Sequence, residues 1–452
     1  MKLTRRNSNI LILIGDLVFI PLSFVLGHYL RFGNFQELSV KVPAVSLVLI
    51  TIGYIFIFYL FNLYELKKDY LSFFSLAGWV GGVLAGAMLV SFLNYGLFLD
   101  PIGRGIFIFA NVSILILAFG LRLLFHHLLK YLFRPKRLLI CGAGEGGAEM
   151  ARVLAHHTAD FELIGYLGGH SEDEEVSRLL LGDLQALEKV CYENNIDVIV
   201  TALHFEETAK IGATLMALRL GGVEIVDMPD LYQELEKRIP IDYISQVWFL
   251  KARGLRWSES SAMIKIKRVM DVTTSLLILI LTLPLSFLIV LAIKLTSRGP
   301  VFYVQERIGR NNKQFRLYKF RSMIHRAEEQ GAVWAEKNDA RVTPVGRILR
   351  RLHLDELPQL FNVLKGEMSL VGARPERPVF VEEFNAKIPY YSLRHFMRPG
   401  LTGWAQVTYP YASSLKASRE KLEYDLYYVY HAHLIFDLRI ILKTFKNFFR
   451  RG

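Results

Sequence analysis

Four apolar stretches in the first third of the chain restrict its fold more than any other feature. They run from Ile10 to Leu30, Val42 to Tyr64, Phe73 to Phe98 and Ile106 to Phe125. Each approaches the roughly 20 apolar residues that carry a helix across a membrane. In lipid the backbone has no water to bond, so such stretches must satisfy themselves as helices. The pattern predicts a four-helix transmembrane domain over residues 1–130. The first stretch is longer than the apolar core of a secretory signal and lacks a small-residue cleavage site, so it is expected to stay in the mature protein. Asp16 lies inside it. An acid in a span is either hidden in the helix bundle or functional, and the structural reading is favoured.

The 452 residues carry 54 Lys and Arg against 42 Asp and Glu, a formal charge of +12. Such an excess suits nucleic acid or an anionic membrane. The cations flank apolar segments: Lys2, Arg5 and Arg6, then Lys130, Arg134, Lys136 and Arg137, then Lys265, Lys267 and Arg268. That placement points to headgroups and phosphates and away from nucleic acid. Cations mark the cytoplasmic side of short loops, so both ends of the four spans are expected there. Cys141 and Cys191 form neither a CxxC pair nor a disulfide framework, which suits a reducing compartment.

From 131 to 250 the pattern changes to short apolar runs alternating with helical segments: RLLICGAGEGG, FELIGYLGG, NNIDVIVTAL and GGVEIVDMP. This is the rhythm of a Rossmann-like parallel α/β domain. Gly142, Gly144 and Gly147 make a GxGxxG after the first strand, where backbone N–H groups can meet a nucleotide phosphate. No acid at the end of the second strand stands ready to hold a ribose. The other reading gives these glycines to stability or regulation.

The segment Val269 to Ile293 contains Pro284, which removes a helix hydrogen bond and predicts a kink near Leu283. Lys265, Lys267 and Arg268 precede it, and Lys294, Arg298, Arg307 and Arg310 follow. With both flanks cationic, a broken helix that re-enters the cytoplasmic side is favoured over a fifth span. The closing stretch sets Ile440, Ile441, Phe445, Phe448 and Phe449 among Lys443, Lys446, Arg450 and Arg451. That composition suits a helix in the membrane interface, with a charge-laced core helix as the alternative.

Three blocks carry the chemistry: VFYVQERIGRNNKQFRLYKFRSM from Val301, RLHLDELPQLFNVLKGEMSLVGARP from Arg351 and RHFMRPGLTGWAQVTYPY from Arg394. Asp355 and Glu356 are adjacent acids beside Pro358, a residue that suits a helix start. Phosphoryl transfer is mostly positioning and charge neutralisation. Lys319, Arg321, Arg350, Arg374 and Arg398 offer positive charge for substrate phosphates. One acid can attack phosphorus while the other holds Mg²⁺ through oxygen.

These blocks, together with KIKRVMDV before the broken helix and KLEYDLYYV near the end, resemble the polyprenyl-phosphate glycosyl-1-phosphate transferases of bacteria. The four spans and the α/β domain resemble the large, multi-domain branch, and YPYASS the exopolysaccharide-associated subgroup. The resemblance implies a mainly helical catalytic domain over 262–452, with the re-entrant helix at 269–293. It implies Asp355 as nucleophile, Glu356 as the residue that assists Mg²⁺, Arg374 as a phosphate ligand, and Asp425 and Asp437 as supporting acids. The expected partners are a UDP-sugar, polyprenyl phosphate and the lipid bilayer, and a homodimer is compatible with this reading. The implied location is the bacterial inner membrane, with the site facing the cytoplasm. Three positions depart from the family pattern: Asn312 for a common Gly, His353 for Ser or Thr, and Ala373 for Pro.

Two other readings differ in kind. A membrane-anchored nucleotide-sugar dehydratase needs a second glycine-rich fingerprint and a Tyr-x-x-x-Lys pair after about Ser260, and neither is present. A non-catalytic, nucleotide-sensing assembly protein would not need the acid pair with its cations.

Overall fold

The apolar stretches form α1 (Ser8–Phe32), α2 (Ala44–Leu60), α3 (Phe73–Gly96) and α4 (Arg104–Leu132) in the computed structural model. It describes residues 8–61, 63–64, 73–96, 102–132, 134–169, 173–203, 205–244, 248–249, 261–324, 339, 341–409 and 414–451. Lys2, Arg5 and Arg6 lie outside these. The chain divides into two units, Met1–Arg137 with His157–Glu162, and Leu138–His156 with Leu163–Gly452.

In the first unit α1, α3 and α4 each contain a segment long and apolar enough to cross a membrane. Helix α2 has 17 residues and, at the usual rise, reaches only about 25 Å. Outward-facing Val18, Ile52, Met88 and Ile116 are exposed, as lipid-facing side chains are. At Gly27 an added Cβ would strike the backbone of Ile106 and Ala110, so the missing side chain lets α1 and α4 approach closely. Asp16 is buried and accepts two bonds from Arg122, Nη1 to Oδ1 at 2.9 Å and Nη2 to Oδ2 at 2.7 Å. Arg122 Nη1 also donates to the Ala118 carbonyl, and its guanidinium lies over Trp79. Asp16 is a structural acid, paired inside the bundle.

The second unit begins with a sheet of β1 (Lys136–Cys141), β2 (Phe161–Leu167), β3 (Val198–Thr201) and β4 (Glu224–Asp227), in the order β2-β1-β3-β4. β1 pairs in parallel with β3, and β3 with β4. Helix α5 (Glu145–Ala155) follows the glycine loop. Gly142 has φ of +110°, and a Cβ there would meet the Ala202 carbonyl. A Cβ on Gly147 would run into the Gly142 carbonyl. The Gly142 and Ala143 N–H groups donate to Leu167 and Gly168 carbonyls, so they are spent on the protein itself. Gly144 precedes the first turn of α5 with open space around its Cα. The close approaches account for Gly142 and Gly147 through local packing. Cys141 and Cys191 are buried free thiols.

Helix α6 (Met228–Glu236) leads into Ile239, Ile241 and Ile244, which share one apolar core with Leu360, Val363, Met368, Trp404 and Leu426. Trp404 Nε1 donates to the Lys237 carbonyl at 2.8 Å, and Ile239 N to the Glu423 carbonyl at 3.1 Å.

The segment around Pro284 forms α7 (Ser261–Leu281) and α8 (Leu283–Thr296), bent by 61° at Thr282. Pro284 falls in the first turn of α8, where its missing N–H costs no helix bond. The Thr282 hydroxyl donates to the Ile278 carbonyl at 2.7 Å, closing the end of α7.

Two cations expected to meet headgroups are instead internal. Lys267 is buried and paired with Asp437 at 2.6 Å, and Arg268 donates to the Val363 and Leu364 carbonyls at 2.5 and 2.6 Å. Burying an unpaired charge is costly, so each sits where a carboxylate or a helix C-terminus neutralises it. Asp271 accepts from Leu370 N at 3.1 Å. On the last helix, Leu434–Arg451, the expected apolar face divides: Ile440 is buried, Ile441 half-buried, and Phe445 and Phe448 exposed. The side chains of Phe449, Arg450 and Arg451 lie outside the described set.

Removing one partner of a buried ion pair leaves the other uncompensated, typically at a cost of about 3–5 kcal/mol, whereas an apolar pair of similar size costs far less. Asp437→Ala should therefore lower the melting temperature in detergent more than the double change Lys267→Met with Asp437→Leu. Equal losses would show that the charge of Lys267 is not held by Asp437.

Candidate active site

A β-hairpin supplies the first cation. Strands β5 (Phe302–Ile308) and β6 (Gln314–Phe320) pair antiparallel with Tyr303 opposite Lys319. At the hairpin's tip Asn311 and Asn312 adopt φ of +55° and +59°. That left-handed backbone favours Gly and tolerates Asn, which explains how Asn312 stands where Gly is common. Its Oδ1 lies 2.6 Å from His395 Nδ1. Burial, then Arg394, pushes His395 down to about 3, so the ring is neutral and Nδ1–H donates.

Helix α9 (Pro344–Arg351) is capped by the Thr343 hydroxyl, which accepts from Gly346 N at 2.9 Å. It ends at His353, whose φ of +55° turns the chain into a 3-10 turn at Leu354–Glu356. That reversal drives Asp355 inward. Pro358 then precedes α10 (Gln359–Lys365), which stops at Gly366 in the left-handed region.

The two adjacent acids have different surroundings. Glu356 Oε1 accepts from Lys319 Nζ at 2.9 Å and Arg374 Nη2 at 2.7 Å, while Oε2 has only Arg374 Nη1 at 3.4 Å. Burial opposes its charge, but Arg374 and Lys319 together outweigh burial and hold it far below the usual carboxylate range. Asp355 is 8% exposed and makes no hydrogen bond or ion pair among the described residues. Burial raises its pKa, against the pull of Lys319; Glu356 raises it further, while Arg350 and Arg374 lower it. The expectation that these cations would keep Asp355 low is corrected: desolvation dominates.

Arg374 follows β7 (Ser369–Val371), which pairs in parallel with β8 (Gly400–Thr402). Its carbonyl accepts from Arg394 Nη2 at 2.9 Å, and Arg394 is held by Asp425 at 2.8 Å with both side chains buried. Arg307 Nη1 donates to the Pro375 carbonyl at 3.0 Å, and Glu376 pairs with Lys421 at 2.7 Å. A second layer of ion pairs thus fixes the backbone that aims Arg374.

Lys319, Arg350 and Arg374 are brought to the acid pair; Arg321 and Arg398 are not. Arg321 Nη2 donates to the carbonyl and hydroxyl of Ser297, at 2.9 and 2.8 Å. The groups acting on Arg398 are Arg268, Arg310 and Asp271, none of which belongs to the acid cluster. Asp437 is occupied with Lys267 and with the Tyr428 hydroxyl at 2.7 Å. Arg394, Arg307, Glu376 and Lys421 were not anticipated from the sequence. Their only signal was a surplus of charge inside the same blocks.

Among the described residues no three His, Cys, Asp or Glu side chains form a metal-binding group. Mg²⁺ commonly uses one or two carboxylates and takes its other ligands from water and substrate phosphates. Glu356 Oε2, with only a long contact, retains the capacity for such a bond.

Comparison with known proteins bears on this geometry. The family described as bacterial sugar transferase matches residues 262–451, which contain the acid pair and its cations. An exopolysaccharide production protein of Rhizobium leguminosarum is 42% identical over 197 residues, 41% of this chain and 96% of that protein. The chain belongs to the bacterial sugar transferase family. A UDP-N-acetylgalactosamine-undecaprenyl-phosphate N-acetylgalactosaminephosphotransferase of Aeromonas hydrophila is 39% identical over 252 residues, 56% of this chain and 58% of that protein. A UDP-glucose:undecaprenyl-phosphate glucose-1-phosphate transferase of Klebsiella pneumoniae is 43% identical over 189 residues, 41% of each chain. The chain thus spans about half the length of these two sugar transferases.

The opposite environments of the two acids predict opposite stability effects. Asp355 has its pKa raised by folding, so the proton-linked stability it provides is present below about pH 4 and is lost as pH rises through the raised value. Asp355→Asn should melt above the wild type at pH 7, with the difference shrinking at acid pH. Glu356→Gln should melt below it, because Lys319 and Arg374 lose their anion. A lower melting temperature for Asp355→Asn at pH 7 would contradict this assignment.

Proposed function

We propose that the chain transfers a sugar 1-phosphate from a UDP-sugar to undecaprenyl phosphate, giving undecaprenyl-diphosphate-sugar and UMP. The observation that carries the reading is the contrast within the acid pair, in which Glu356 is clamped by two cations and Asp355 is buried and free of direct partners. A desolvated carboxylate without hydrogen bonds is a stronger nucleophile than a solvated one.

Asp355 attacks the sugar-bearing phosphorus, the bond to the bridging oxygen breaks, and UMP leaves with that oxygen and its electron pair. An oxygen of undecaprenyl phosphate then attacks the same phosphorus and displaces the Asp355 carboxylate. One phosphoanhydride is made for one broken, so no other energy source enters. Lys319, Arg350 and Arg374 neutralise charge on the phosphoryl oxygens as it shifts. Asp425 supports Arg374 through Arg394, and Asp437 anchors α7 through Lys267. Glu356 would hold Mg²⁺, which when bound adds a further positive charge at the diphosphate.

The same reading assigns residues 1–130 to a four-span membrane domain, 131–250 to a Rossmann-like cytoplasmic domain, and 262–452 to the catalytic domain. The 61° bend at Thr282 supports re-entry of α7 and α8. Re-entry sets the active site on the cytoplasmic face of the bacterial inner membrane, where both a soluble nucleotide sugar and a lipid phosphate reach it. Gly142 and Gly147 serve the packing of the α/β domain, outside the transfer step. Initiation of an exopolysaccharide or O-antigen-type glycan is the role this implies, and a homodimer is consistent with it.

Release of UMP from a panel of UDP-sugars, with undecaprenyl phosphate and Mg²⁺ present, tests the reading. Asp355→Asn should slow turnover on the order of a thousandfold, about 4 kcal/mol of barrier. Glu356→Gln should also be severe and should raise the Mg²⁺ concentration needed for half-maximal rate. Near-normal turnover in Asp355→Asn would overturn the proposal.

A further inference from the structure

Arg321 is 6% exposed. Its Nη2 is bonded to Ser297, but Nε and Nη1 are buried with no partner among the described residues. A buried guanidinium is normally paired, because desolvating a cation is expensive. Burial lowers its pKa, with no acid to offset the effect. An anion is the group that would complete this arrangement.

The position limits which anion. Ser297 caps the end of α8, the apolar second half of the broken helix. Along one face of α8 lie Leu288, Leu291 and Leu295, the last 77% exposed. Helix α9 packs against α8 and adds exposed Ile348 and Leu352. A continuous apolar track therefore ends at two unpaired cationic donors. A nucleotide has no part that needs such a track; a long-chain isoprenoid phosphate matches both ends of it.

The site also connects to the acid pair. Arg321 is followed by Ser322, whose hydroxyl accepts from Arg350 Nε at 2.9 Å, and Arg350 is among the charges acting on Asp355. Leu354 and Leu357, on either side of the acids, pack with Ile289 and Ile293 of α8.

We propose that Arg321 and the Ser297 hydroxyl receive the phosphate head of the isoprenoid acceptor, while its chain lies on the apolar faces of α8 and α9. The assignment rests on the transferase reading above and gives that reading its acceptor site. Both orphaned nitrogens are closed off from solvent, so the phosphate engages them with a shift of the Arg321 side chain. Once bound, its oxygen attacks the phosphorus carried by Asp355, and the Asp355 oxygen leaves as carboxylate.

Two measurements on the full-length enzyme separate the half-reactions: the single-turnover release of UMP without lipid, and the KM for undecaprenyl phosphate. Arg321→Gln should keep the UMP burst and raise the lipid KM on the order of tenfold, the loss expected for a charged hydrogen bond. Ser297→Ala, which keeps the charge and the helix, should raise it by a smaller factor and decides the matter if Arg321→Gln fails to fold. Loss of the burst in a folded Arg321→Gln would assign Arg321 to the nucleotide sugar and overturn the proposal, as would an unchanged lipid KM in Ser297→Ala and Arg321→Gln. Direct binding of radiolabelled undecaprenyl phosphate without UDP-sugar tests the site apart from catalysis. Weaker binding by both variants supports it, and equal binding overturns it even if the transferase reading stands. Competition by inorganic phosphate as strong as by the lipid would mark a general anion site and contradict the assignment.

Discussion

Glu356, clamped between Lys319 and Arg374, is the interaction on which the catalytic half of the molecule depends. Two adjacent carboxylates cannot both be buried as bare anions, since each raises the other's proton affinity and burial adds to it. The fold resolves this by giving one of them both short cationic bonds. Asp355 then keeps a carboxylate that no direct bond stabilises. The remaining ion pairs make sense as supports of this asymmetry. Arg394 and Arg307 bind the carbonyls of Arg374 and Pro375, and Asp425 and Glu376 neutralise them. A buried ion pair contributes little net stability, but it fixes direction, and Arg374 must point at Glu356 within a few tenths of an ångström.

A second constraint concerns the broken helix. Its break is built from Thr282 and Pro284, and its first half is tied to the C-terminal core by Lys267, Arg268 and Asp271. These three polar residues on one helix each satisfy a different partner: a carboxylate, two helix-end carbonyls and a strand N–H. The helix is therefore fixed relative to β7, and β7 leads directly to Arg374. Ile239, Ile241 and Ile244 add a contribution from before the matched family region to the same core.

The chemistry of the site could be read in the sequence where neighbouring residues fix the outcome. Asp355, Glu356, Lys319 and Arg374 stand in blocks dense with turn formers, and Pro284 marks its own break. The glycine loop could likewise be placed after β1, since GxGxxG needs a strand before it and a helix after it. Partners distant in sequence could not be read. Nothing local distinguishes Lys267, which pairs with a residue 170 positions away, from a lysine facing headgroups. The same holds for Asp425 and Asp437, whose cations lie on other elements. Arg321 and Arg398 resembled Lys319 because charge alone does not say which way a side chain turns. The left-handed backbone at Asn312 and His353 is a consequence of tight reversals, and residue identity only hints at it.

The central claim is that Asp355 becomes covalently attached to the phosphosugar. Enzyme incubated with a UDP-sugar labelled in the sugar, without undecaprenyl phosphate, then quenched, digested and mapped by peptide mass spectrometry, tests it most directly. The account predicts stoichiometric UMP and the label on the peptide containing Asp355, at that carboxylate. UMP formed only when the lipid is present, with no adduct trapped, or a label carried by Glu356, would contradict it.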